Sequence, residues 1–268
     1  MQIDDMKPSD YFAHPAISRS QLVDLQRSPL HYWSKHVDPN RIAVPLDTPA
    51  LRFGTAVHTA VLEPERFAAE YSVGPQVSSK ASKTWRDAAA ATDCILLTPD
   101  EDHAIKSICA SLKQREAANK ALFAAPGKNE VTFIGPDKSG LELKCRADRI
   151  TEGWVIDLKT TQDASTNAFA KSCANFGYHI QAAFYMRVIR NTTGHDPLGF
   201  AFVAVEKEPP YAVQVFKASK EMLDFGAKQV DALLEQLAEL SVNYKPSTPW
   251  PSYSTAAVEL DLPAWAMR

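Results

Sequence analysis

The chain has 268 residues, 45% of them hydrophobic, with a formal net charge of −3. That apolar share is enough for a core in one large domain or two modest ones, and no apolar run approaches the roughly 20 residues of a membrane span. A slightly acidic chain does not advertise nucleic-acid binding over its whole surface, although a local basic channel can coexist with an acidic exterior.

The N-terminus, MQIDDMKPSD, lacks a basic region followed by an apolar run, which predicts a cytoplasmic protein without a signal peptide. Cys94, Cys109, Cys145 and Cys173 are scattered without CxxC spacing and read as reduced residues. Within HPAISRSQLVDLQRSPLHYW, Ser18 or Ser20 can cap a helix carrying Leu22 and Leu25, which Ser28-Pro29 ends. Residues 37–50 contain three prolines and read as a loop.

In LRFGTAVHTAVLEPERFAAEY, Gly54-Thr55 opens a predicted helix, and Pro64 kinks or restarts it. His58 sits on that helix between Ala56 and Ala60. A structural histidine is the common case there, but small neighbours leave the ring accessible, which suits a ligand. Residues 72–83 read as a flexible loop, with Lys80, Lys83 and Arg86 making the region basic; it is either simply solvated or a flap that contacts phosphate. Thr98-Pro99-Asp100-Glu101 is a capping box with Pro at the first helical position, and the helix is expected to run to about Phe123.

From Asn129 the pattern changes to period two. EVTFIG reads as a strand opened by Glu130, for which an exposed end position and a place beside a metal site are both open. After a turn at Pro136–Gly140 come two further strands, LELKCRAD and WVIDLK, joined at Glu152-Gly153. Residues two apart on a strand share a face, so Asp157 and Lys159 point the same way. A carboxylate and an ammonium beneath an apolar strand are costly unless paired or holding an ion, and Asp148 can add a second carboxylate: a metal site in outline. Downstream, YHIQAAFYMRVIRN is a helix with Gln181 and Tyr185 four apart on one face. Two strands, a long helix from about Ser219 to Ser241 and a proline-containing tail that packs back on the body complete the chain.

The ordered set of His58, Asp148, Asp157-x-Lys159 and Gln181-x-x-x-Tyr185 resembles the PD-(D/E)xK nuclease superfamily in its RecB-like branch. The segments GTAVHTAVLEPERF, SSKASKTW, KCRADRI, WVIDLKTTQDAS and YHIQAAFYM, within residues 16–218, are similar to phage and prophage exonucleases of the exodeoxyribonuclease VIII (RecE) type. Arg146-Ala147-Asp148 stands where the superfamily's name has Pro-Asp, with the carboxylate retained.

The resemblance implies an α/β fold: a mixed central sheet flanked by helices, with a restriction-endonuclease-like core and a helical N-terminal portion. It implies one nuclease domain over residues 1–268, mainly helical to residue 128, with the catalytic sheet in 129–218 and a helix and tail after it. Asp148 and Asp157 would bind Mg²⁺, with the Leu158 carbonyl as a further ligand and His58 completing the shell, and Mn²⁺ would substitute. Lys159 would orient or help deprotonate the attacking water and offset charge. Gln181 and Tyr185 would position the DNA backbone or the ion's outer shell, with Glu130 as a further member. Also implied are 5′→3′ digestion of linear double-stranded DNA for recombination, ring-shaped homo-oligomers and a single-strand annealing partner. The alternatives are a RecB-like nuclease of other polarity or an endonuclease, and a protein that binds DNA without cutting.

Overall fold

The computed structural model of the chain describes residues 1–42 and 48–263. Its strands, in chain order, are β1 (Gln2–Ile3), β2 (Tyr71–Val73), β3 (Ile95–Leu97), β4 (Gly127–Pro136), β5 (Glu142–Thr151), β6 (Trp154–Thr161), β7 (Gly199–Glu206) and β8 (Val213–Lys217). The helices are α1 (Pro8–Ala13), α2 (Arg19–Arg27), α3 (Pro29–Tyr32), α4 (Pro49–Leu62), α5 (Pro64–Glu70), α6 (Lys83–Ala90), α7 (Pro99–Gln114), α8 (Glu116–Asn119), α9 (Thr166–Asn175), α10 (Tyr178–Thr193) and α11 (Lys220–Asn243).

One mixed sheet runs in the spatial order β1-β4-β5-β6-β7-β8, and β2 pairs with β3 separately. β4, β5 and β6 form an antiparallel meander, whereas β6 and β7 are parallel and joined through α9 and α10. The β5–β6 turn has positive φ at both Glu152 (48°) and Gly153 (79°), the twist that a two-residue hairpin requires. The expected fold class holds: a mixed central sheet with helices on both faces.

Alternation along the strands explains the two layers. Phe133 of β4, Cys145 of β5 and Phe200 and Phe202 of β7 join Phe184, Val188, Leu234 and Leu237 of α10 and α11 in one core. Ile156 and Leu158 of β6 and Val203 and Val205 of β7 face the other way, into a second core with Val57 and Val61 of α4 and Ile105, Ile108 and Leu112 of α7. β7 is buried from Gly199 to Val205 because both its faces are covered, and it reads accordingly as a continuous apolar run. Full burial of Phe200 and Phe202 contributes about 2–3 kcal/mol each.

α10 and α11 meet at Gly226, where a Cβ would lie 2.2 Å from the His179 carbonyl oxygen. Gly226→Ala is therefore expected to destabilise the protein by about 1–3 kcal/mol through overpacking, despite the roughly 1 kcal/mol that alanine gains in helix propensity. Urea unfolding checks this, and an unchanged midpoint would contradict so close a helix contact.

Several boundaries differ from the sequence reading, for local reasons. α4 starts at Pro49, with Thr48 accepting from the Leu51 N–H at 3.2 Å, so Gly54 is interior rather than the helix opening. That helix start also shortens the predicted 37–50 loop, of which residues 43–47 lie outside the described residues. α7 stops at Gln114 because Arg115 turns extended (ψ 110°); α8 then resumes and runs on as a π-helical turn over Lys120–Ala124, so the helical stretch reaches Phe123 with one break. Ser72 and Val73, placed in a loop by their polar surroundings, pair with Leu96 and Leu97. The tail packs back in part: among its described residues only Trp250 is buried, stacking on Tyr32 at 5.5 Å, whereas residues 251–263 are exposed and 264–268 lie outside the described part.

Candidate metal centre and cleft

The site forms where β5 and β6 part. Their pairing ends at Arg149↔Ile156, two residues short of Leu158. Instead the Asp148 carboxylate accepts from the Leu158 N–H at 2.8 Å, so a side chain completes the interrupted ladder. On the other side of β5, the β4 register would set Glu130 opposite Asp148, but that pair is missing and Glu130 has φ +54°. A left-handed glutamate in a strand is uncommon and marks an irregular point, here beside two acidic groups.

α4 supplies the third component. Leu51, Gly54, Thr55, His58 and Thr59 recur at helical spacing along the stripe that lines the cleft, while Val57 and Val61 face the second core. His58 Nδ1 lies 3.5 Å from Asp148 Oδ2. One ligand atom each from His58, Glu130 and Asp148 falls within 4.8 Å of the other two.

Asp157 and Lys159 lie beside this cluster. Lys159 Nζ is 2.6 Å from Asp157 Oδ2, and Gln181 Nε2 donates to Asp157 Oδ1 at 2.6 Å. The ammonium also sits 4.8 Å from the centre of the Tyr178 ring. Asp157 is 1% exposed, so this carboxylate is held by named partners rather than by water. Tyr185 lines the same cleft one helical turn from Gln181, and burial keeps its phenol protonated.

The electrostatics suit a cation. Burial, with the nearby Lys159 charge, lowers the His58 pKa and leaves a neutral imidazole able to donate a lone pair. Burial and the Asp148 carboxylate push Glu130 up to about 7, and burial with Asp157 raises Asp148 in turn. Two carboxylates that resist ionisation at neutral pH are short of positive charge, and with a neutral histidine they fit a divalent ion. Lys159 behaves oppositely: burial works against its charge, but Asp157 and Asp148 outweigh it and raise the pKa, keeping an ammonium.

A pH dependence follows with a definite sign. A carboxyl whose folded-state pKa is raised stabilises the fold at low pH, and that stability is lost as pH rises, for Glu130 from about 4.5 to about 7. The metal-free protein should therefore melt lower at pH 8 than at pH 5.5 through these groups, and Mn²⁺ should raise the melting temperature more at pH 8, where it displaces no proton. Equal shifts at both pH values would contradict this.

Of the residues singled out from the sequence, the structure gathers His58, Asp148, Asp157, Lys159, Gln181, Tyr185 and Glu130 around one cleft of about 570 Å³, with the Leu158 backbone bonded to Asp148. Asp157, expected as a ligand, stands outside the three-donor cluster, and Glu130 stands inside it. The basic loop lies elsewhere: Lys80 contacts both Glu101 carboxylate oxygens at 2.8 Å, and Lys83 and Arg86 are exposed on α6. Sequence reasoning passed over Arg19, Glu63, Arg66, Arg146 and Tyr178, all of which line the cleft. Arg146 carried a readable signal, because it lies two residues before Asp148 and so on the same strand face. Arg19 and Arg66 carried none.

Residues 18–255 match the family described as PDDEXK-like domain of unknown function (DUF3799). No curated protein sequence matches the chain. Among solved structures it is similar to a candidate exonuclease from Eubacterium rectale, at 16% identity and a TM-score of 0.60, covering 87% of this chain and 83% of that one. An alkaline exonuclease from Laribacter hongkongensis aligns at 15% identity and a TM-score of 0.27, covering 66% of this chain and 94% of its own.

Proposed function

Because this chain belongs to the PDDEXK-like family DUF3799, we propose that it is a metal-dependent exonuclease acting on linear double-stranded DNA. The observation that carries this reading is the His58–Glu130–Asp148 cluster beside the Asp157–Lys159 pair in a single cleft. The name of the Eubacterium rectale protein supports the exonuclease class.

The donor set fits a hard divalent cation, Mg²⁺ with Mn²⁺ as substitute, held by His58, Glu130 and Asp148 with Asp157 as a further donor. When bound, that ion supplies a Lewis acid that neutralises phosphate charge and makes water nucleophilic. His58 donates as the neutral imidazole. Lys159, held as an ammonium, offsets the charge that develops on the phosphate rather than removing a proton. Gln181 fixes Asp157, and the Tyr178 ring confines the ammonium.

The cleft is balanced rather than acidic: Arg19, Arg66, Arg146 and Lys159 line it with Glu63, Glu130 and Asp148, and Asp157, paired with Lys159, is a fourth carboxylate. A bound dication would turn that balance positive and attract an anionic backbone although the chain carries −3 overall. His58 comes from the helical portion before residue 128 and the acids from the sheet, which supports one nuclease unit over residues 1–268.

The finer reading is 5′→3′ digestion that exposes 3′ strands for recombination of the phage and prophage type, by a ring-shaped homo-oligomer working with a single-strand annealing protein. A cytoplasmic location goes with it; no described helix is long and apolar enough to cross a membrane. The test is digestion of duplex DNA labelled separately at its 5′ and 3′ ends, with Mg²⁺ and with EDTA. Metal-dependent release from the 5′ end, with closed circles spared, is expected. Release from the 3′ end, or cutting of circles, would overturn the polarity and exonuclease assignments respectively.

The loop basicity has its own test. Lys80 is already paired with Glu101, so Lys80→Ala alone should leave DNA affinity unchanged, while Lys83→Ala with Arg86→Ala should reduce the salt dependence of binding. An unchanged salt slope in the double variant would make the loop a solvated face only.

A further inference from the structure

The four cations that line the cleft all have partners, and those partners differ in kind. Arg66 is held by Glu63 and Glu70, each at 2.7 Å. Arg19 donates to the carbonyls of Phe176 and Gly177, and Lys159 pairs with Asp157. Arg146 donates through Nε to Glu130 Oε2, and Glu130 belongs to the three-donor cluster. Among the described residues lining the cleft, Arg146 is the one cation paired with a member of that cluster.

We infer that Arg146 is an exchangeable counter-ion: Glu130 holds its guanidinium in the cation-free protein, a divalent cation draws Glu130 away, and the freed guanidinium binds a backbone phosphate of DNA. The inference rests on the metal centre proposed above and adds a residue and a coupling to it. Charge favours an exchange of this kind, Asp157 being balanced by Lys159. Neutral His58 with ionised Glu130 and Asp148 balances one dication, which leaves the Arg146 charge without a partner until an anion arrives. A phosphodiester supplies one negative charge and two oxygens that a planar guanidinium can bind in parallel.

The surroundings favour Arg146 for this role over its neighbour. The Arg146 and Glu130 side chains are 16% and 17% exposed, so an unpaired charge there is poorly screened. Arg146 and Asp148 share a strand face about 7 Å apart, which keeps the guanidinium within reach of a phosphate bound at the cluster. Arg149, by contrast, donates to the Ala121 and Ala125 carbonyls and to the Asn129 side chain, and those partners hold it in the wall of the fold.

The test is a pair of titrations on the full chain and on Arg146→Gln, with thermal melting as the check on folding. Without DNA, calorimetric Mn²⁺ binding to Arg146→Gln should be about fivefold tighter than to the wild type, because no guanidinium competes for Glu130. With Ca²⁺ present, binding of a fluorescent duplex to Arg146→Gln should weaken, and its salt slope should fall by about one phosphate contact. Arg146→Lys, which keeps the charge, should restore that slope. Weaker or equal Mn²⁺ binding in Arg146→Gln, or an unchanged salt slope, overturns the exchange while leaving the metal centre standing. Absence of Mn²⁺ binding in the wild type overturns both.

Discussion

Replacing Asp148 with Asn is expected to reduce DNA cutting on the order of 10³-fold, the scale on which metal and oxyanion contacts act. The same change should make the metal-free protein more stable at pH 8. Asn retains an oxygen to accept from the Leu158 N–H, so the interrupted β5–β6 ladder stays closed. What it removes is a carboxylate that burial and Asp157 already push toward protonation. The variant should thus melt higher than the wild type without metal and lose the melting shift that Mn²⁺ produces. A nuclease assay beside a melting series with and without Mn²⁺ checks both, and a stable variant that still cuts would remove Asp148 from the centre.

Lys159→Met is expected to act in the other direction on stability. It leaves the Asp157 side chain, 2% exposed, with Gln181 but without its ammonium. Removing one partner of a buried pair costs about 3–5 kcal/mol, because the remaining charge is neither hydrated nor balanced. Cutting should be lost as well. Urea unfolding of Lys159→Met, Asp157→Asn and the double variant separates the effects: the double variant should recover part of the stability while remaining inactive. Additive losses in the double variant would mean that the two side chains do not depend on each other.

These two variants depend on what the sequence made legible. Strand period two is local, so Asp157 and Lys159 could be assigned to one face before any fold was known. The same holds for Gln181 and Tyr185 at helical spacing and for the positive-φ turn at Glu152-Gly153. His58 was recognisable through its small neighbours and the order of motifs. Glu130 was legible only as an open alternative, because its place in the cluster depends on a left-handed φ and on an interruption of the β4–β5 register, where its pairing with Asp148 is missing. Arg115 ends α7 against a helical pattern that continued past it, and three-residue strands such as β2 are too short for periodicity to register. Lys80 looked available to DNA, yet Glu101, the residue that closes the Thr98 capping box, also binds it. In each of these cases the deciding partner is distant in sequence or does two jobs.

Crystals grown with Mn²⁺ and measured for anomalous scattering show whether His58, Glu130 and Asp148 together hold a divalent cation. One strong peak bonded to all three side chains is expected, with Glu130 turned from Arg146 toward the ion. A peak bonded to Asp157 and Asp148 but not to His58 or Glu130, or no ordered Mn²⁺ in the cleft, would contradict that set of ligands.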